Sequence, residues 1–194
     1  TPHIDRMAVE GMRFTQCYAG STVCAPSRCV LMTGRHTGHA RVRGNVGWTG
    51  PDRVRMEVPL REEDITVAEV LKSAGYRTGM FGKWHLGDQP PFLPTKQGFD
   101  EYFGIPYSHD IHPFHPRQDH YKFPPLPLLE DETVIEMDPN ADFLTKRITE
   151  RAVSFIERNK DEPFFLYVPH PIPHAPLHVS PPFMEGVSKE IVAT

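Results

Sequence analysis

Apolar residues recur at helical spacing in several stretches, and after three of them the pattern shifts to an extended run. From Pro2 to Glu10, Ile4, Met7 and Ala8 share one helical face and Gly11 marks a stop, with Met12 to Tyr18 reading as a short strand. From Thr66 to Ala74, Val67, Val70 and Leu71 form a face, Gly75 ends it, and Tyr76 to Phe81 is extended. The strongest periodicity runs from about Ala141 to Asn159, where Asn140 is a natural cap and Leu144, Ile148, Ala152, Phe155 and Ile156 form the stripe. Phe164 to Val168 follows as an uninterrupted apolar run, the pattern of a strand buried on both faces. Helix followed by strand, three times over, predicts an α/β fold with a mostly parallel sheet. Between Phe81 and Asn140 prolines dominate and the chain reads as loop. Its aromatic residues, among them Phe92, Phe99, Tyr102, Phe103 and Tyr107, predict that the loops are ordered and packed.

Composition narrows the classes. The chain has 194 residues, 39% of them hydrophobic and 24% charged, enough for a packed core and against wholesale disorder. Its formal charge is −4, from 21 Lys+Arg and 25 Asp+Glu, which gives no sign of a nucleic-acid-coating surface. No stretch approaches the ~20 apolar residues of a membrane span. The 21 prolines fall mostly in the second half. The chain opens on Thr1 without a signal-like segment, so either processing removed one or the chain is part of something longer. Cys17, Cys24 and Cys29 form neither an even disulfide framework nor a zinc spacing. One bridge with a leftover thiol and a cysteine kept for chemistry both stay open.

Three segments carry candidate chemistry. Cys24-Ala25-Pro26-Ser27-Arg28 leads into a helix-compatible stretch closed by Thr33-Gly34-Arg35. A side chain at such a helix start sits where amide dipoles favour negative charge, and Arg28, one turn on, offers a guanidinium suited to tetrahedral oxyanions. Taken alone, the segment also fits a buried structural cysteine in a turn. In Gly82-Lys83-Trp84-His85-Leu86-Gly87, Lys83 and His85 are two apart, so on extended chain both enter one cavity. Lys binds anions and His is the readiest base near neutral pH. An ordinary polar loop beneath a Trp lid has the same sequence. Third, His170, His174 and His178 are spaced as if on a helical metal face, but Pro171, Pro173 and Pro176 forbid that helix. They lie instead on an extended loop at a strand exit, where open α/β sheets place ligands. His109, His112 and His115 look like a zinc cluster, yet Pro113, Pro116 and the lack of a matching Cys or carboxylate pattern argue against it.

Taken together, the segments resemble one family. Cys24 to Arg28 with Leu31, Thr33, Gly34 and Arg35 are similar to the sulfatase signature, and Gly82 to Gly87 resembles its second signature. His174-Ala175-Pro176 resembles the family's later His motif. Thr1-Pro2-His3-Ile4-Asp5 resembles an early segment, with His3 where Asn is commoner. Gly104 to Asp110 is especially similar to the arylsulfatase A-like branch. The similarity runs to about Gly186, after which Val187 to Thr194 departs from the family pattern.

The resemblance implies a type I sulfatase with an alkaline-phosphatase-like α/β/α sandwich, incomplete at both ends, so that residues 1–194 are part of a catalytic domain. It implies that Cys24 is converted to formylglycine by a formylglycine-generating enzyme. A thiol that attacked sulfur would have no easy route to release sulfate, whereas a geminal diol can attack with one hydroxyl and expel sulfate with the other. By the same resemblance Arg28 holds the formylglycine, His85 acts as base, Lys83 binds a sulfate oxygen, His174 assists the leaving oxygen and Ser108 touches substrate. One Ca2+ is implied as cofactor. Of its ligands only Cys24, as formylglycine, lies in this chain, since hard cations require oxygen donors and the family's Asp and Asp-Asn/Gln ligands are not matched here. The implied substrate is a sulfated small molecule or glycan, in an exported or lysosomal setting. Two rival readings accompany it: a phosphonate or phosphate monoester hydrolase of the same superfamily, and a non-catalytic truncated fragment.

Overall fold

The computed structural model describes residues 1–45, 47–49, 54–56 and 58–184; the departure expected at Val187 to Thr194 lies outside them. Helix α1 (Pro2–Glu10) forms where the periodicity predicts it, and Gly11 returns its amide to the Met7 carbonyl. Its apolar stripe is not buried, however: Ile4 and Met7 face solvent. The strand expected over Met12 to Tyr18 does not form. These residues are exposed and have no hydrogen-bonded neighbour strand among the described residues, and an apolar run cannot supply the partner that a ladder requires.

Helix α2 (Cys24–Thr33) buries Ala25, Pro26, Cys29 and Met32 and closes on Gly34. At φ 65° that glycine takes the left-handed conformation open to residues without Cβ, and its amide bonds to the Val30 carbonyl. Strands β1 (Gly47–Thr49) and β2 (Val54–Met56) pair as a separate antiparallel ribbon. Helix α3 (Val67–Ser73) starts with a capping box. Thr66 Oγ1 accepts from the Glu69 amide at 3.2 Å, and the Glu69 carboxylate accepts from the Thr66 amide at 2.7 Å. Its fully buried residue is Ala68, while Val70 of the expected face is exposed. The cause is close approach: a Cβ on Gly98 would lie 2.4 Å from the Glu69 amide nitrogen, so the Ala68 side of the helix is pressed on the 98 turn.

The main sheet has five strands, β3 (Arg77–Lys83), β4 (Glu101–Ile105), β5 (Pro127–Glu130), β6 (Thr133–Met137) and β7 (Phe164–Tyr167), in the order β6-β5-β4-β3-β7. β3 pairs parallel with both β4 and β7, and β5 with β6 forms a hairpin joined antiparallel to β4. The sheet is therefore mixed, its parallel part being the part beside the candidate site. The stretch from Phe81 to Asn140, expected as loop, holds β4 to β6 and the short helix α4 (Gln118–Tyr121). Its prolines lie between or at the start of the strands, where no ladder amide is lost.

Helix α5 (Leu144–Asn159) follows a 3-10 turn over Ala141–Phe143, with the Asn140 side chain accepting from the Asp142 amide at 3.0 Å. Leu144, Ile148, Ala152 and Phe155 are buried as the stripe predicts; Ile156 is exposed, lying at the stripe's edge. Alternation along β3 divides the core. Met80, with Tyr102 of β4, faces Ala25, Cys29 and Met32 of α2 and Ala68 of α3. Phe81, with Phe103, faces α5, where Phe155 meets it edge-on at 5.7 Å. Helices on both faces make the α/β/α layering. β7 is half-buried rather than fully buried, since β3 pairs with only one of its edges.

Candidate active site

The parallel strands end on one side of the sheet, and the candidate side chains gather there. Cys24 is the first residue of α2, held by the buried Ala25 and Pro26 behind it and by the Ala25 amide, which donates to Asn45 Oδ1 at 3.0 Å. Arg28, one turn on, donates from Nη1 to the Lys83 carbonyl, tying α2 to the end of β3. Lys83 is the last residue of β3, and its own amide bonds to the Pro169 carbonyl at 2.9 Å beyond β7. His85 sits at φ 65°, a left-handed conformation uncommon outside glycine, and its amide bonds to the Pro106 carbonyl at 2.8 Å. Lys83 and His85 both reach Cys24, but through this turn and not through the extended spacing that the sequence suggests, and only Lys83 lines the open cleft while His85 is buried. Trp84 between them is buried and donates to the Phe92 carbonyl at 2.9 Å.

Lys83 is 2% exposed and donates from Nζ to Ser108 Oγ at 2.9 Å. Burial lowers its pKa, opposed by the neighbouring Cys24 and reinforced by Arg28. The Cys24 thiol falls to about 6: a hydrogen bond with His85 is the main cause, burial opposes it, and the charges of Lys83 and His85 add to it. Cys24 is therefore a thiolate at neutral pH, and the position favours any group carrying negative charge or accepting hydrogen bonds. A cleft of about 640 Å³ opens over Cys24, Arg28 and Lys83 and is walled by Asn45, Tyr167, His170 and His174.

His174 is half-exposed, with Nδ1 donating to the Ala175 carbonyl at 2.6 Å and lying 4.0 Å from Asp110 Oδ1. Burial works to raise the Asp110 carboxyl, but hydrogen bonding from Ser108 and the charge of His174 outweigh it and hold it below its ordinary value. The trio His109, His112 and His115 is dispersed, as its prolines suggest. His112 Nδ1 accepts from the Phe114 amide and His115 Nδ1 from the Arg117 amide, each closing a local turn. His109 is buried and turns instead toward His174 and His178, whose rings meet it edge-on at 5.6 and 5.7 Å. The sequence thus brings Cys24, Arg28, Lys83, His85, Ser108 and His174 to one place. It passes over His109 and Asp110 as participants, although both stand in the segment that contains Ser108.

The residues present do not by themselves make a calcium site. Among the described residues, the one group of three or more His, Cys, Asp or Glu with converging ligand atoms is His109, Asp110 and His174, which excludes Cys24. Among the described residues that line the cleft over Cys24 stand the cations Arg28 and Lys83 and no carboxylate. A hard dication asks for six or more oxygens. No helix among the described residues is long and apolar enough to cross a membrane.

The chain is similar to known proteins over nearly all of its length. The chain is 38% identical to arylsulfatase G of Rattus norvegicus over 98% of its length and 40% of that protein's. It is 37% identical to the human N-acetylgalactosamine-6-sulfatase over 95% of its length and 37% of that protein's. Among solved structures it is similar to Ps i-CgsB in complex with k-i-k-neocarrahexaose, at 30% identity and a TM-score of 0.69, covering 91% of this chain and 40% of that one. The chain thus spans about two fifths of the relatives it matches. The family profile described as Sulfatase matches residues 1–190, taking in the helix start at Cys24, the strand end at Lys83 and the loop at His174, and the chain belongs to the sulfatase family.

Proposed function

We propose that the protein containing this chain hydrolyses sulfate esters, with residues 1–194 forming part of its catalytic domain. The observation that carries the proposal is the position of Cys24 at the start of α2, in contact with Lys83 and His85 and one turn before Arg28. Conversion of Cys24 to formylglycine by a maturation enzyme supplies a hydrated aldehyde, one hydroxyl of which attacks sulfur while the other releases sulfate. The remaining work belongs to groups already in place. Arg28 and Lys83 present positive charge to the sulfate oxygens from fixed positions, and such preorganised donors are worth roughly 3–4 kcal/mol each. Ser108, proposed from the sequence to touch substrate, is buried and bonded to both Lys83 Nζ and Asp110, so its part in binding is to fix the ammonium. His85 takes a proton at the Cys24 position, and His174, at the cleft wall, gives one to the leaving oxygen. Ca2+ belongs to this reading as the family's cation, with Cys24 in its modified form the ligand that this chain contributes.

A sulfated glycan is the substrate class we favour over a small aryl sulfate. The relatives include one named N-acetylgalactosamine-6-sulfatase and a structure in complex with a neocarrahexaose, and the cleft is open and bordered by the cations Arg28 and Lys83. An exported or lysosomal compartment goes with such substrates. The test is the full-length protein produced with a formylglycine-generating enzyme and assayed side by side on an aryl sulfate and an aryl phosphonate. Preferred sulfate hydrolysis, abolished by Cys24→Ala with the fold intact, is the expected result. Preferred phosphonate hydrolysis would move the protein to the rival reading. A Cys24 peptide that keeps the mass of an unmodified thiol would refute the nucleophile.

A further inference from the structure

We propose that His109, Asp110 and His174 form a binding site for a borderline transition-metal cation, Zn2+ being the typical case, and that its occupancy inhibits hydrolysis by withdrawing His174 from the cleft. The inhibitory half rests on the role given to His174 above; the site does not.

Each of the three residues offers a ligand atom, and these atoms lie within 4.8 Å of one another. His109 Nε2 is 2.9 Å from the Pro176 carbonyl oxygen, which can only accept, so this nitrogen carries the proton. In the neutral ring the lone pair therefore sits on Nδ1, which is buried and has no hydrogen-bond partner among the described residues. A ring whose second nitrogen is pinned to a backbone carbonyl is the arrangement that orients metal-binding histidines. Asp110 Oδ1 is likewise buried and, among the described residues, without a hydrogen bond; His174 Nδ1, 4.0 Å away, gives its proton to the Ala175 carbonyl, so an ion either takes the ring's other nitrogen or displaces that bond. A buried lone pair beside a buried carboxylate oxygen costs free energy unless a cation or donor answers both. His174 is half-exposed and closes the group from the solvent side, so an ion has a path in.

The donor set selects the ion. Two imidazole nitrogens and one carboxylate suit Zn2+, which in open sites takes three protein ligands and leaves a fourth position to water or an anion. Ca2+ would find one oxygen donor where it needs at least six. His178 is held apart by its bond to Asp142 Oδ1 at 2.9 Å, and its ring stands edge-on against His109.

The experiment is calorimetric titration of the full-length, chelator-treated protein with zinc chloride and, separately, calcium chloride. It compares wild type with His174→Gln, Asp110→Asn and His109→Gln. Each substitution is expected to weaken zinc binding at least about tenfold, since even outer-shell changes around a metal cost roughly 10–100-fold, and to leave calcium binding unchanged. Circular dichroism checks the fold of His109→Gln, and the two more accessible positions decide the matter if that variant is unstable. Zinc affinity unchanged in His174→Gln and Asp110→Asn overturns the site, as does an absence of zinc binding in the wild type. In parallel, zinc should slow turnover of the wild type, reversibly on adding chelator, with the half-inhibiting concentration raised about tenfold in Asp110→Asn relative to that variant's own basal rate. Zinc bound through these residues without inhibition upholds the site and overturns the place of His174 in hydrolysis.

Discussion

The electrostatics around Cys24 can be measured directly on its unmodified thiol. The thiol's pKa is lowered from 9.0 to about 6, first by the hydrogen bond with His85 and then by the charges of Lys83 and His85, against the opposing effect of burial. A thiol at 9 is about 1% thiolate at pH 7, and one at 6 is about 90% thiolate, by simple titration. Because the thiolate is the reacting form, iodoacetamide should label Cys24 with a rate that rises with pH through a midpoint near 6. Peptide-resolved mass spectrometry separates Cys24 from the exposed Cys17 and the buried Cys29. The protein is prepared from a host without a formylglycine-generating enzyme. The midpoint is the reading to use, since low-pKa thiolates are also weaker nucleophiles and absolute rates mix the two effects. His85→Gln and Lys83→Met each remove a group that favours the anion and should move the midpoint upward, the double variant reaching or passing the ordinary value of a free cysteine because burial then acts unopposed. A wild-type midpoint at 8 or above, or one that neither substitution moves, would refute the account of the site as a built anion hole.

Three further outcomes follow from the packing. At Gly104, opposite Gly82 in the parallel register, a Cβ would come within 1.9 Å of the Gly82 carbonyl oxygen. Gly104→Ala must therefore part β3 from β4 beside Lys83, and we expect a loss of at least about 1–3 kcal/mol in urea unfolding of the full-length protein, with turnover falling too. Phe155→Ala removes the ring that fills the space over Gly79 and meets Phe81, and should cost about 3–5 kcal/mol by the same measurement. Thr66→Ala breaks the capping box of α3 away from the cleft and should lower stability by about 1 kcal/mol, leaving KM unchanged.

Local chemistry made several parts of this protein legible in the sequence. The alternation of apolar and polar residues sufficed for α5, because a stripe of Leu144, Ile148, Ala152 and Phe155 has one way to be buried at 3.6 residues per turn. Proline sufficed to exclude a helical metal site at His170, His174 and His178, since it removes backbone donors whatever the surroundings. The Cys24, Lys83 and His174 motifs gave the family and the candidate site residues through their order along the chain.

Strand partners and histidine neighbours needed the tertiary structure. Met12 to Tyr18 has the composition of a strand and is not one, because a strand exists only with a partner. Glu101 to Ile105 reads as loop and is a strand, because β3 and β5 flank it. Lys83 and His85 meet Cys24 through a left-handed turn held by Pro106, a contact between distant loops. The histidines show the division most plainly. Spacing offered two clusters, 109-112-115 and 170-174-178, and packing formed neither. It put His109 with Asp110 and His174, 64 residues from Asp110, because the loops after β4 and β7 leave neighbouring parts of one sheet on the same side.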